Sequence, residues 1–165
     1  MKIYLGSDHA GFDLKEALRH YLSEGGHEVV DCGNTVKDNN DDFVKYVTDA
    51  ARQAAQDPET RAIILGGSGQ GEAMAANRLH GVRATVYYAP GNARETDVSG
   101  TFGEGDGLDI VRLSRKHNNS NVLSLGARFV TFELAKTVVN VWLETDFSGD
   151  KRYDDRNRQL DAIEP

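Results

Sequence analysis

Apolar and polar positions along the chain follow two alternating periods. Short runs rich in β-branched and aromatic residues predict strands at residues 2–7, 27–31, 61–65, 82–88 and 121–125. Between these runs, apolar residues recur every three or four positions, which is typical of amphipathic helices. This spacing predicts helices at residues 13–24, 43–54, 72–79, 109–117 and 130–145, followed by a last helix at residues 154–164.

The alternation of strands and helices predicts one α/β domain over residues 1–165. Strand–helix–strand units make the strands parallel, and the helices then cover both faces of the sheet. The expected fold class is a three-layer α/β/α sandwich around a five-stranded parallel sheet, with a Rossmann or flavodoxin-like arrangement. The last predicted helix forms a C-terminal tail within residues 150–165.

Residues 90–107 do not share this periodicity. They contain five glycines and no recurring apolar positions. A long loop inside a compact domain usually has a function or is mobile. Because this loop leaves the fourth strand at its carboxyl end, we expect it to border the functional site or a subunit interface.

Composition narrows the class of protein. The content of 39% hydrophobic and 27% charged residues excludes a disordered chain. The apolar runs are too short to span a membrane and no signal-peptide pattern is present, so we expect a cytoplasmic protein with no membrane partner. A single cysteine, Cys32, excludes an internal disulfide and a multi-cysteine zinc site. The net charge of −7 argues against nucleic acid as a partner.

Three polar segments carry side chains suited to chemistry, at residues 6–11, 66–72 and 116–119. Ligands of open parallel sheets bind beyond the carboxyl ends of the strands, and we expect all three segments there. Residues 66–71 include four glycines, which let backbone N–H groups approach a phosphate or a developing oxyanion. Their spacing fits neither the dinucleotide fingerprint nor the P-loop, and a tight turn is the alternative interpretation.

Individual residues each allow two interpretations. Glu72 opens a helix, where it either complements the helix dipole, which its position alone favours, or acts as a general base beside the glycine loop. Asp8 is either a helix N-cap or a site residue. His117 either complements a helix C-terminus or takes part in catalysis. Cys32 is interpreted as a small buried apolar residue, since no base lies near it in sequence.

Arg152 and Arg156 are four residues apart, so a helix places both on one face. Two guanidinium groups on one face suit the binding of a phosphate. The neighbouring carboxylates of Asp150, Asp154 and Asp155 offer the alternative of ordinary surface salt bridges.

In chain order, these segments resemble the B-type ribose 5-phosphate isomerase family, which also contains allose and galactose 6-phosphate isomerases. The resemblance covers nearly the whole chain. The matching stretches are residues 6–12, 66–72, 75–78, 81–84, 117–123 and 126–128, together with Arg152 and Arg156. The resemblance implies a five-stranded parallel sheet, a homodimer or tetramer with the active site between subunits, and interconversion of ribose 5-phosphate and ribulose 5-phosphate.

The resemblance also assigns the base. One branch of the family uses a cysteine just before the second glycine of the loop, and this chain has Gly66 there. The other branch, known from actinobacteria, uses a glutamate directly after the loop, which Glu72 matches. The resemblance therefore favours Glu72 as the group that moves the proton between C2 and C1.

The remaining roles are likewise implied by the resemblance. Ser68 and the loop amides hold the enediolate, His117 assists ring opening with Asp8 near the ring oxygen, and Asn118 orients the substrate. The loop amides are those of residues 67–71, with Gly67, Gly69 and Gly71 as its glycines. The phosphate is surrounded by His9, Arg128, Arg152 and Arg156. No metal or organic cofactor is implied.

Three departures from the family pattern bear on the substrate. Phe43 stands where the family usually has a tyrosine, and Tyr153 stands where it has a histidine. The loop at residues 90–107 lengthens the connection before His117 and is expected to tune which sugar is accepted. A tetrose 4-phosphate or hexose 6-phosphate isomerase therefore stays open as an alternative. So does a non-catalytic module that binds a phosphosugar or nucleotide.

Overall fold

The computed structural model describes residues 1–96 and 103–163. Its strands are β1 (Lys2–Ser7), β2 (Glu28–Asp31), β3 (Arg61–Gly66), β4 (Ala84–Tyr87) and β5 (Val122–Gly126). Its helices are α1 (Phe12–Glu24), α2 (Phe43–Gln56), α3 (Gln70–Ala76), α4 (Asp109–Lys116), α5 (Phe132–Glu144) and α6 (Lys151–Asp161). Every predicted strand and helix is present, with its ends shifted by a few residues.

The strands form one parallel sheet in the order β2-β1-β3-β5-β4. In register, Leu5 pairs with Ile63, and Ile63 pairs with Leu123. The central strands β3 and β5 are apolar on both faces, as expected of a parallel sheet covered by helices. The predicted five-stranded parallel sheet is confirmed.

Helices cover both faces of this sheet. Ile63 and Leu65 of β3 belong to one hydrophobic cluster, which also contains core residues of α1, α4 and α5. Ala62 and Ile64 belong to a second cluster, with core residues of α2 and α3. Successive residues of a strand point to opposite faces, so the two clusters lie on either side of the sheet. The three-layer α/β/α sandwich is therefore confirmed.

Helix ends follow capping chemistry that the sequence revealed only in part. Thr131 caps α5, with its hydroxyl accepting from the Leu134 N–H at 3.2 Å. Asp8 does not cap α1, which begins after Gly11; its carboxylate instead accepts from the Ala10 N–H at 3.0 Å. The tail helix begins earlier than predicted because Asp150 caps it. Residues 164 and 165 of the predicted tail lie outside the described residues.

All strands of the parallel sheet point the same way, so their ends form two opposite sides, which we call the carboxyl edge and the amino edge. These two edges carry different loops. The loops that follow β1, β3 and β5 lie at the carboxyl edge, as does the loop that follows β4. Residues 116–119 begin at the last residue of α4 and precede β5, so they lie at the amino edge. The expectation that this segment lies at carboxyl strand ends is wrong, because a helix and not a strand comes before it. None of the described helices is long and apolar enough to cross a membrane.

Residues 90–107 leave and re-enter the fold through a fixed stem. The N–H of Gly91 donates to the Gly107 carbonyl at 2.8 Å. The buried carboxylate of Asp109 accepts from the N–H groups of Ala93 at 2.9 Å and Glu104 at 2.7 Å. These bonds hold the pKa of Asp109 below its usual range. Residues 97–102 lie outside the described residues, so the predicted role of the loop stays a prediction.

Candidate active site

The glycine loop connects β3 to α3 at the carboxyl edge. Gly69 has a φ of +77°, which favours glycine, and a Cβ at this residue would lie 3.1 Å from the Gly126 nitrogen. The hydroxyl of Ser124 donates to the Gly69 carbonyl at 2.7 Å. The loop is therefore pressed against the end of β5 and fixed there.

The Glu72 side chain is buried, with 6% of the residue exposed, and folds back against the end of β3. A Cβ built on Gly66 would lie 1.7 Å from Glu72 Oε1 and 2.1 Å from Cδ. The carboxylate thus occupies the space that a side chain at residue 66 would fill. The absence of a side chain at Gly66 is what allows Glu72 to reach this place.

The environment of Glu72 raises its pKa above the usual range for a glutamate. Burial is the main cause, and the negative charge of Asp8 adds to it. The backbone N–H groups of Glu72 itself and of Gly69, and the charge of Arg128, act in the opposite direction. A partly desolvated carboxylate is a stronger base than one in water, which suits a group that takes a proton from carbon.

The walls of this site come from the loop and two neighbouring side chains. The Arg128 guanidinium lies over Gly67, where a Cβ would be 3.1 Å from Cζ. The Phe43 ring lies against Gly71, where a Cβ would be 3.2 Å from Phe43 Cζ. Ser68 is half-buried in the loop, and its Oγ accepts from the Gln70 N–H at 3.3 Å.

Asp8 and His9 extend this arrangement from the end of β1. Asp8 is buried, and its Oδ2 lies 3.8 Å from His9 Nδ1. His9 Nδ1 lies 2.8 Å from Oδ1 of Asp41, a residue that no sequence pattern selects. Asp8, His9 and Asp41 bring metal-ligand atoms within 4.8 Å of one another. Because the Asp41 carboxylate already accepts from His9, these atoms serve a hydrogen-bond network.

Eight of the predicted site residues lie together at the carboxyl edge, and we call them the carboxyl-edge group: Asp8, His9, Gly67, Ser68, Gly69, Gly71, Glu72 and Arg128. The other predicted site residues, which we call the amino-edge group, lie at the opposite edge: His117, Asn118, Arg152 and Arg156.

The amino-edge group is organised by α6. The His117 ring stacks on Tyr153 with centroids 4.0 Å apart, and the His117 carbonyl accepts from Asn157 Nδ2 at 3.1 Å. The Arg156 guanidinium lies 6.0 Å from the Tyr153 ring centroid. Arg152 and Arg156 are exposed. The predicted site residues thus divide between two edges of one chain.

Two residues discussed in the sequence analysis remain to be placed, Asn118 and Cys32. The Asn118 carbonyl accepts from Arg83 Nε at 2.8 Å, and Asn118 borders a cavity of 640 Å³ at the amino edge. Cys32 is half-buried against the α2 side of the core, and burial raises its pKa. A thiol with a raised pKa is a poor nucleophile, which agrees with the interpretation of Cys32 as an apolar residue.

Comparisons with known proteins add a family to this geometry. A family model described as Ribose/Galactose Isomerase matches residues 3–99 and 108–160. The match is interrupted at residues 100–107, inside the glycine-rich loop.

Two curated relatives span almost the whole chain. The ribose-5-phosphate isomerase B of Mycolicibacterium paratuberculosis is 33% identical over 163 residues, which cover 99% of this chain and 89% of the relative. The enzyme of the same name from Escherichia coli is 36% identical over 163 residues, covering 99% of this chain and 96% of the relative.

A solved structure of ribose 5-phosphate isomerase B from Mycoplasma genitalium, with bound ribulose 5-phosphate, is 28% identical. It superposes with a TM-score of 0.82 and covers 97% of this chain and 93% of its own.

Proposed function

The chain belongs to the ribose/galactose isomerase family, and from this premise we propose that it interconverts ribose 5-phosphate and ribulose 5-phosphate. The chain is a sugar-phosphate aldose–ketose isomerase, and its relatives carry the name ribose-5-phosphate isomerase B. The observation that carries the proposal is the buried Glu72 carboxylate beside the glycine loop. A protein that only binds a phosphosugar needs no buried base there.

In the proposed reaction, Glu72 takes the proton from C2 of the open-chain aldose and returns it to C1. Its raised pKa supports this role, because a more basic carboxylate accepts a carbon-bound proton more readily. The same residue then acts as the acid, so one group completes the transfer.

The charge that develops on the sugar oxygens is assigned to the glycine loop. The N–H of Gly69 donates toward Glu72 and so positions the base. Ser68 and the amides of Gly67 and Gly71 are then the donors assigned to the enediolate. Fixed donors of this kind stabilise a developing oxyanion without reorganising, so the proposal requires no metal or organic cofactor.

The other steps use residues from both edges. We assign ring opening to His117, with Asp8 near the ring oxygen, and orientation of the sugar to Asn118. His9 and Arg128 at the carboxyl edge, with Arg152 and Arg156 at the amino edge, are assigned to the phosphate. Charge-assisted bonds from guanidinium groups suit phosphate oxygens.

A second copy of the chain is required for this assignment. The strand β5 has five residues and separates the two edges by roughly 15 Å at about 3.3 Å per residue. One phosphosugar cannot contact both edges of the same chain across that distance. We therefore propose a homodimer, alone or within a tetramer, in which the amino-edge group of one subunit faces the carboxyl-edge group of the other. A two-fold axis produces two such sites.

The cellular setting of the proposal is the cytoplasm. A single half-buried thiol and no disulfide partner are typical of proteins from reducing compartments.

The test is a coupled isomerisation assay with tetrose 4-phosphate, ribose 5-phosphate and hexose 6-phosphate aldoses. We expect the highest kcat/KM with ribose 5-phosphate. A higher kcat/KM with a four- or six-carbon sugar would show that the protein catalyses this reaction on a different substrate. If calorimetry shows that these sugars bind but none of them is turned over, the protein is a non-catalytic binding module.

A further inference from the structure

Asp41, to which the proposed mechanism gives no role, holds His9 from a distance of 32 residues in the chain. The Asp41 side chain is only 7% exposed. Its Oδ1 accepts from the His9 backbone N–H at 3.0 Å and lies 2.8 Å from His9 Nδ1. One carboxylate oxygen therefore fixes both the backbone and the ring of His9.

This contact determines which ring nitrogen carries the proton. An ionised carboxylate only accepts hydrogen bonds, so Nδ1 of His9 must be the donor. The position of the proton on a neutral imidazole follows from the hydrogen bond that one nitrogen makes, and the other nitrogen stays available to a ligand. The His9 side chain keeps 29% of its surface exposed, and Nε2 is the ring nitrogen that the Asp41 contact leaves for a ligand. With the proton on Nδ1, Nε2 carries a lone pair and accepts a hydrogen bond from a hydroxyl of the ligand.

Asp41 is itself fixed from the interior. Asn34 Nδ2 donates to Asp41 Oδ2. The Asn34 carbonyl accepts from Lys15 Nζ at 3.0 Å, and Lys15 is fully buried and paired with Asp31. Asn34 thus joins the buried Lys15, which bonds to its backbone carbonyl, to Asp41, which bonds to its side-chain amide, and Asp41 in turn holds His9. Such a series of contacts transmits the rigidity of the core to a surface ring.

We propose that Asp41 is a positioning residue, which keeps the proton of His9 on Nδ1 and turns the Nε2 lone pair toward a hydroxyl group of the phosphosugar. This inference rests on the proposed function, in which His9 lies at the phosphate end of the sugar, where Nε2 can accept from a sugar hydroxyl or from the P–OH of a singly ionised phosphate. Asp41 acts through His9 and does not touch the substrate. Replacing Asp41 by alanine should raise KM about 10-fold and change kcat much less. The expected size follows other proteins in which a group that hydrogen-bonds to the far nitrogen of a functional histidine is removed.

The first measurement does not depend on turnover. Long-range ¹H–¹⁵N spectra of the 165-residue chain report the tautomer of each histidine ring. In the wild type, we expect His9 to carry its proton on Nδ1, and in Asp41→Ala we expect the proton to move to Nε2, as in free histidine. An unchanged His9 tautomer in the variant would overturn the inference, whether or not the wild type isomerises ribose 5-phosphate.

The second measurement separates positioning from a merely structural role. KM for ribose 5-phosphate is measured for Asp41→Ala in the wild-type and His9→Ala backgrounds. If Asp41 acts through His9, the 10-fold effect disappears when His9 is absent. An equal rise in KM in both backgrounds would show that Asp41 supports the loop as a whole, and would overturn the inference.

Two further variants protect the test against unfolding. Asp41→Asn keeps the size of the side chain, and Asn34 can turn its amide, whose Oδ1 is buried without a partner among the described residues, to match the new group. It should give a KM between those of the wild type and Asp41→Ala. The matched control is Asp42→Ala, which removes the N-cap of α2 and should lower the melting temperature without raising KM. A rise in KM for Asp42→Ala equal to that for Asp41→Ala would count against the inference.

Discussion

The two edges of the sheet hold their site residues in contrasting ways. At the carboxyl edge, side chains lie against glycines with no room for a Cβ, and the Glu72 carboxylate is buried. At the amino edge, His117 is held by stacking on Tyr153, and the arginines of α6 are exposed. The first arrangement fixes atoms within a close-packed backbone, which is what proton transfer requires. The second leaves long cationic side chains free to meet an anion that another surface presents.

This contrast agrees with the division of work between subunits that we propose. In that proposal, the carboxyl edge supplies the base and the oxyanion donors, and the amino edge supplies cations and the ring-opening histidine to the neighbouring chain. Substitutions at the carboxyl edge should therefore act mainly on kcat, and those of the arginines at the amino edge mainly on KM. The following predictions test that difference, from the largest effect to the smallest.

Replacing the base should give the largest loss. Glu72→Gln keeps the shape of the side chain but cannot accept the C2 proton, so kcat should fall by about 10²–10⁴-fold. Binding of ribose 5-phosphate, measured by calorimetry, should persist. Cys32→Ser is the matched control and should leave kcat near the wild-type value. Retention of more than about a tenth of wild-type kcat by Glu72→Gln would exclude Glu72 as the base.

The same variant should be more stable than the wild type at neutral pH. Burial raises the folded-state pKa of Glu72 above its ordinary value of 4.5, so the ionised carboxylate opposes folding as the pH rises above that value. The uncharged glutamine avoids this cost. The gain in melting temperature should shrink as the pH falls through 4.5 and vanish at about pH 3, where the carboxyl is almost fully protonated in both states. A gain that persists there would show a different cause.

A methyl group at Gly66 should disable the base without touching it chemically. Gly66→Ala places a Cβ where Glu72 Oε1 now lies, so the carboxylate must move. A displacement of about 1 Å can cost about 10²-fold in rate, and the loss should appear in kcat. Gly91→Ala is the control, because a Cβ there meets nothing within 4 Å. Wild-type kcat in Gly66→Ala would mean that Glu72 does not react from this position.

Much of the fold was predictable from sequence, because its signals are local. The helical spacing of Leu18 and Leu22 and the apolar run of β3 reflect burial that each element carries by itself. The fit between Gly66 and Glu72 was not predictable, because a missing Cβ gives no sign of what fills its space. The contact between Asp41 and His9 joins distant loops and leaves no periodic trace. The amino-edge position of His117 depends on which element comes before it.

Mixing two defective chains should restore activity if the site is shared. Glu72→Gln lacks a functional carboxyl edge and His117→Ala lacks a functional amino edge, so each is nearly inactive alone. In a randomly reassembled 1:1 mixture, about half of the dimers contain one of each chain, and each such dimer has one intact site of two. Activity should return to about a quarter of the wild-type value. If subunit exchange is verified and no activity returns, either the site lies within one chain or its residues differ from those proposed.

Removing an arginine of α6 should weaken substrate capture. A charge-assisted bond to phosphate contributes about 1.5–3 kcal/mol, so Arg156→Ala should raise KM for ribose 5-phosphate by about 10- to 100-fold. Its kcat at saturation should change little, in contrast to Glu72→Gln. Arg158→Ala is a control on the same helix, since Arg158 pairs with Asp154. Unchanged KM in Arg156→Ala would show that Arg152 and Arg156 only form a solvated face.

Shortening the glycine-rich loop should give the smallest effect and should separate specificity from stability. The stem is closed by the bond between Gly91 and Gly107 and by Asp109, so residues 95–102 can be replaced by a short glycine linker that keeps Ala93, Glu104 and Asp106. The fold should tolerate this change, because each doubling of a flexible loop costs only about 0.6 kcal/mol in closure entropy. The loop leaves β4 at the carboxyl edge, where Tyr88 lies close to Gly126 at the end of β5.

We therefore expect the shortened protein to keep a melting temperature close to that of the wild type. Its ratio of kcat/KM between five-carbon and other phosphosugars should change, or its dimer should dissociate more readily. The two outcomes are separated by assays with sugars of each length and by sedimentation of the shortened protein across a dilution series. Unchanged ratios together with an unchanged dimer dissociation constant would show that the loop is a neutral insertion. Surface loops tolerate such insertions because their backbone is solvated and packs against little of the core.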